Sequence, residues 1–244
     1  MNSGVYTAYS GLRAQMTALD QLSNNLANVN TIGFKEGRTF LTLLNRAMGS
    51  PDSTDLTSVI NSQVTVAPGP FNESDGSLVT TGRELDLALS GNGYLAVSTP
   101  RGVRYTRNGS LVLGKQGVLS TTDGHAVLGE KGPIQLGPGK VQINELGDVQ
   151  LDEVAVDRLK LVSFAEPHLL QREGNSLLAP VQEGIRAVPA NVRVRQGYLE
   201  QSNVNAVASV VQLVEILRHF EAAQKSVHLL MNDVNAKAIE RLGR

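Results

Sequence analysis

The sequence predicts an α+β chain: long N- and C-terminal helices forming a coiled coil, with an inserted all-β domain folded as a sandwich or partly open barrel. Three observations predict it. Near both ends, apolar residues recur in steps of four and three, the heptad spacing of a helix that buries a narrow stripe against another helix. Between Gly82 and Val194 the period drops to two, the spacing of half-buried strands. The 24 glycines gather mainly in that middle region, where they punctuate short apolar runs.

At the N-terminus the seam runs Val5, Tyr9, Leu12, Met16, Leu19, Ser23 and Leu26. Gly4 and Gly11 weaken its first turns. The helix should stop near Asn28–Thr31, where Asn and the following Gly33 supply turn chemistry, and this arm occupies 1–35. A connecting segment, 36–80, comes next. Glu36 to Leu44 reads as an extended strand or a helical turn. Arg46 to Gly69, rich in Ser, Thr, Asp, Gly and Pro, reads as mobile or partner-dependent, with one short strand suggested by Val59, Gln63, Val64, Thr65 and Val66.

The outer β domain is expected over 81–196. Leu85, Leu87 and Leu89 alternate with Asp86 and Ala88, and further short apolar runs extend from Tyr94 to Val194. Between them stand Gly91-Asn92-Gly93, Asn108-Gly109, Asp123-Gly124, Gly137-Pro138-Gly139 and Gly147-Asp148, all turn formers. The apolar positions suffice for a core of its own.

The C-terminal arm, 197–244, carries the longer seam: Ala206, Val210, Leu213, Leu217, Phe220, Gln224, Val227, Met231, Val234 and Ala238. Ser202 or Asn203 is the expected cap, since a short polar side chain accepts a bond from a free first-turn amide. From Val204 to Arg241 the rod would measure ~57 Å, too long for a compact domain of this size without a partner along its seam. Gln224 interrupts the seam with an amide. It reads either as a tolerated rim residue or as a register device, because a buried amide penalises mis-set neighbours. One seam contact does not offset the entropy of ordering both arms, so the arms should order when neighbouring subunits bury more of each.

Composition excludes several function classes. Lys plus Arg number 22 against 23 Asp plus Glu, for a net charge of −1, which argues against a nucleic-acid binder held by phosphate contacts. The absence of Cys removes thiolate sites and disulfides. No apolar run approaches the ~18 residues of a membrane span, and the first residues lack the basic start and apolar stretch of a cleavable signal. Gly91-Asn92-Gly93-Tyr94-Leu95-Ala96 matches a loose phosphate-loop pattern, yet the residues after its glycines read as a strand rather than a helix. His219 and His228 fall on opposite helix faces, and His125 and His168 sit in turns or loops. Adjacent Asp152 and Glu153 point apart if extended. Neither catalytic residue, cofactor nor metal site is expected, and no small-molecule substrate.

Two end motifs carry a resemblance. S-N-N-L-A-N-V-N-T-I-G-F-K, holding Asn28, Thr31, Gly33, Phe34 and Lys35, resembles the N-terminal signature of the bacterial flagellar rod, hook and hook-associated proteins. G-Y-L-E-Q-S-N-V-N, holding Gly197, Glu200, Ser202, Asn203 and Asn205, is similar to that family's C-terminal signature. They stand in the right order just inside the two seams. E-L-D-L-A-L-S-G-N-G-Y-L-A-V and Y-T-R-N-G-S resemble the family's middle segment, and G-H-A-V-L-G-E-K-G-P-I and R-L-K-L-V lean towards its proximal-rod branch. The resemblance implies a structural subunit of the flagellar basal-body rod. Its terminal helices would form the inner tube of a helical assembly that transmits motor torque across the periplasm. It also implies other rod proteins and copies of the chain as partners, and export without a cleaved signal through the flagellar type III apparatus. The assembly residues would be Val5, Tyr9, Leu12, Met16, Leu19, Leu26, Val210, Leu213, Leu217, Phe220, Gln224, Val227, Met231 and Val234. The alternatives are the distal-rod branch or, outside the family, a β binding or adhesin module with coiled-coil ends.

Overall fold

The computed structural model describes residues 2–44, 63–166, 169–174, 176–181 and 185–242, with side chains over 9–38, 71–166, 169–174, 176–181 and 185–229. The chain forms helix α1 (Asn2–Ala27), a run of short strands, and helix α2 (Ala206–Leu242). It divides into two compact units. One gathers Met1–Leu26, Gly37–Gly69 and Ala206–Arg244; the other gathers Ala27–Glu36 and Pro70–Asn205. The second unit thus includes the segments that adjoin both helices, 27–36 and 197–205.

In the first unit α1 spans 26 residues, ~39 Å, and α2 spans 37, ~56 Å. Neither Gly nor Pro occurs from Ala206 to Leu242, so every interior amide of α2 finds its carbonyl four residues back. Both arms are helical along these spans. The segment Gly37–Leu44 is a strand paired with Gln63–Phe71, settling the strand-or-turn ambiguity. Val59 and most of the stretch read as mobile lie outside the described residues.

In the second unit every paired strand is antiparallel. The largest sheet runs 170–173, 177–180, 102–106, 94–99, 126–127, 119–121, 111–113, with 161–163 also beside 94–95 and 188–189 beyond it. It is open, not a closed barrel. Its central hairpin registers Leu95 against Thr106 and Thr99 against Gly102. A separate meander of 141–143, 148–151 and 154–158 lies alongside.

Burial explains the order. Leu87, Leu89, Leu95, Val97, Leu111, Leu119, Val127, Ile134, Val149 and Val194 close the main core. Each such side chain is worth roughly 1.5–3 kcal/mol of removal from water. Tyr94 points the other way and joins Val162, Phe164, Leu170 and Leu178 in a second cluster. The central strand is thus covered on both faces, so Y-L-A-V reads as a continuous apolar run rather than an alternation. The glycine pattern ahead of it leads into that strand, and a Cβ at Gly93 would stand 2.7 Å from the Ala190 Cβ and the Val192 Cγ1. Close packing accounts for that glycine without a phosphate.

Candidate functional site

Within the β unit the two end motifs meet. Gly33 has φ +68°, and a Cβ there would lie 2.4–2.6 Å from the Arg107–Asn108 backbone. Only glycine lets the chain pass so close while turning left-handed. The turn starts one step earlier, where the Thr31 hydroxyl and amide both donate to Asn28, to Oδ1 and to the carbonyl oxygen, at 3.1 Å. The Gly33 amide then donates to the Glu200 carbonyl at 2.7 Å. Phe34 is buried, with the Arg172 guanidinium 3.8 Å above its ring and 4.8 Å from the ring of Phe71. Arg172 also donates to the Lys35 carbonyl.

The next residue carries the charge. Lys35 Nζ donates to Glu200 Oε1 at 2.6 Å and to the Ser74 carbonyl at 2.8 Å, with Asp75 at 3.9 Å. Arg107 Nη1 reaches Glu200 Oε2 at 3.3 Å and the Leu89 carbonyl at 3.2 Å, and Nη2 donates to the Gly91 carbonyl. Side-chain exposure is 4% for Lys35, 2% for Arg107 and 1% for Glu200. So much burial depresses the Lys35 pKa from its ordinary value, the Arg107 charge adds to that, and Glu200 and Asp75 oppose it. Burial likewise pulls Arg172 down to about 10 and pushes Tyr94, below Arg107, up to about 12.

The C-terminal motif completes the junction. Gly197, at φ +80°, receives the Thr81 and Gly82 amides on its carbonyl at 2.8 and 3.1 Å. Strand 198–200 pairs with 78–80, and the Gly76 amide donates to Glu200 Oε1 at 2.9 Å. Asn203 accepts the Glu36 amide at 2.7 Å and donates to the carbonyls of Asn72 and Ser74 at 2.8 and 2.9 Å. Ser202 Oγ accepts the Val204 amide at 3.3 Å. The sequence suggested one of these as the cap of α2, but the helix starts at Ala206, directly after Asn205, while Asn203 is committed to the junction and Ser202 to a local turn with Val204. In the first unit Asn25 caps the strand start, donating to the Gly37 carbonyl at 2.8 Å and accepting its amide at 3.0 Å.

The helix faces differ from the expected seam. Along α2 the least exposed positions are Ala206, Ser209, Leu213, Ile216, Phe220, Ala223 and Val227, again in steps of three and four. Three of the seven expected seam positions with described side chains lie one residue off this stripe: Val210, Leu217 and Gln224 are exposed. Along α1 the buried positions are Ser10, Ala14, Leu22 and Asn25, while Tyr9 and Met16 are exposed and Leu12, Leu19 and Leu26 are half-buried. Small residues, which permit close approach, thus occupy much of the covered stripes. A second apolar face, Val207, Val210, Val211, Val214 and Leu217, stands in solvent on the first three turns of α2, with Val207 76% exposed. The side chains of Val5, Met231 and Val234 lie outside the described residues.

Sequence reasoning missed Arg107, Asp75, Asn72, Arg172 and Asn25. The signal for Arg107 was its place inside Y-T-R-N-G-S; nothing in spacing flags the others.

A long helix at each end of the chain, an open β unit, a junction built from both end motifs and an exposed apolar face on α2 define a protein of the α+β class with two extended helical arms. Comparison with known proteins agrees. Residues 5–35 match the family described as flagella basal body rod protein, 88–157 the flagellar hook protein FlgE/F/G D1 domain, and 195–228 the flagellar basal body rod FlgEFG protein C-terminal family. The chain is 33% identical to the flagellar basal-body rod protein FlgF of Rhizobium meliloti, over 100% of this chain and 99% of that one. It is 31% identical to FlgF of Caulobacter vibrioides over 97% of each, and 29% identical to the rod protein FlgG of Bacillus subtilis over 97% of this chain and 100% of that one. The chain belongs to the flagellar basal-body rod protein family, and it is a structural subunit of the rod.

Proposed function

We propose that the chain is a rod subunit of the proximal, FlgF type, assembling helically through α1 and α2 with other rod proteins and with its own copies. The exposed apolar face Val207–Leu217 of α2 carries this reading. A contiguous apolar face on a soluble protein marks an interaction site, and non-identical contacting faces build open helical arrays rather than closed rings. Full-length similarity to FlgF proteins at 33% and 31% identity supports the proximal type. In this reading the two helices pair as a coiled coil in the inner tube, the β unit lies outside, and the column transmits torque across the periplasm. Long uninterrupted helices supply the stiffness. The chain would reach the rod unfolded, through the flagellar type III apparatus.

Leu217→Asp is the direct test, made by complementing a strain that lacks the chain. A charge there should abolish rod assembly and swimming while the β unit of the purified protein stays folded. Normal swimming would contradict the reading.

A further inference from the structure

Glu200 meets two cations from far up the chain, Lys35 and Arg107, 165 and 93 residues away. Without Glu200 their remaining carboxylate is Asp75, at 3.9 and 3.8 Å with its side chain 43% exposed. Those distances exceed a charge-assisted hydrogen bond, and a buried cation lacking a close counter-charge keeps its water instead of packing. The same late segment supplies the rest of the junction. The Gly33 and Gly76 amides need the carbonyl and carboxylate of Glu200. The Glu36 amide and the Asn72 and Ser74 carbonyls need Asn203.

We infer that Glu200 is a closing key: the β unit locks only when segment 197–205 docks, so it stays open until nearly the whole chain is present. A chain made from its N-terminus then cannot lock its β unit prematurely. The consequence that it remains competent for export rests on the proposed rod function; the closure itself does not.

Amide hydrogen exchange at Leu95–Val97, in the core strand, reads closure. A chain ended after Asn205 should keep the slow exchange of the full chain, and one ended after Gln196 should lose it. Loss of a strand alone would do the latter, so Glu200→Gln in the full chain isolates the charge. It should raise exchange through global opening at least about 100-fold, and Lys35→Met with Glu200→Gln should cost less than the sum of the two single variants. Gln201→Ala, which removes only the exposed hydrogen bond that Ser77 Oγ donates to Gln201 Oε1 at 2.8 Å, should change exchange far less than Glu200→Gln. Full-chain protection in Glu200→Gln, or in the chain ended after Gln196, would overturn the proposal. Closure that depends on Glu200, together with normal swimming of Leu217→Asp, would overturn only the assembly reading.

Discussion

Gly33 shows how one residue ties the two ends of the chain together. Its left-handed φ and its contact with the Arg107 backbone leave no room for a methyl group. Gly33→Ala should cost about 2 kcal/mol or more, read from the urea midpoint of the purified chain. The opposite case is the hairpin turn at Asp152 and Glu153, which hold φ +47° and +67° where such a turn favours Gly in second place. Glu153→Gly should stabilise by about 0.5–1 kcal/mol in the same measurement, by relieving a conformation costly for a side chain. Tyr94 gives a pH signature. Its pKa is ordinary when unfolded and about 12 when folded, chiefly through burial. Between pH 10 and 12 the unfolded chain loses that proton and the folded chain keeps it, so stability falls as pH rises, by about 1.4 kcal/mol per unit at most. Lys35 and Arg172, both lowered, act with opposite sign, so the difference between wild type and Tyr94→Phe isolates the tyrosine. At this scale the end motifs were legible as sequence but their partners were not: a Lys and a Glu 165 residues apart leave no periodic trace of their pairing.

Among the elements, long periods were legible and short ones were not. Both helices and most strands of the main sheet stood out because many apolar positions repeat. Strands 78–80, 170–173, 177–180, 188–189 and 198–200 did not: they are two to four residues long, and each breaks its apolar residues with Thr, Gln, Arg, Glu or Pro. The helix caps failed for a different reason, since Ser202 and Asn203 have the right chemistry but bond elsewhere. On α2 the apolar spacing fits two stripes offset by one residue, and only packing separates the covered one, through Ser209, Ile216 and Ala223, from the open one. The two faces give a paired expectation. Ile216→Asp should lower the stability of the isolated chain by about 1–2 kcal/mol, measured by thermal melting of its helical signal. Val214→Asp should leave that melting within about 0.5 kcal/mol and block incorporation into the rod. Gln224, exposed in the single chain, can act on register only across a subunit contact, so Gln224→Leu should show any effect as altered rod length and none in the melting of the monomer.

For the whole molecule, the α+β plan was legible, but the division of labour between its units was not. The β unit takes in the segments that adjoin both helices, 27–36 and 197–205, where the buried Lys35 and Glu200 meet Arg107. The helices are left with an apolar face that a single chain does not cover. Helices with apolar surface to spare suit a subunit that repeats along an axis. The most direct measurement is a map of the assembled basal body that traces side chains. It should show α1 and α2 in the inner tube, with Val207, Val210, Val211, Val214 and Leu217 buried against neighbouring subunits and the β unit outside. Those five side chains facing solvent in the assembled rod, or the β unit on the axis, would contradict the account.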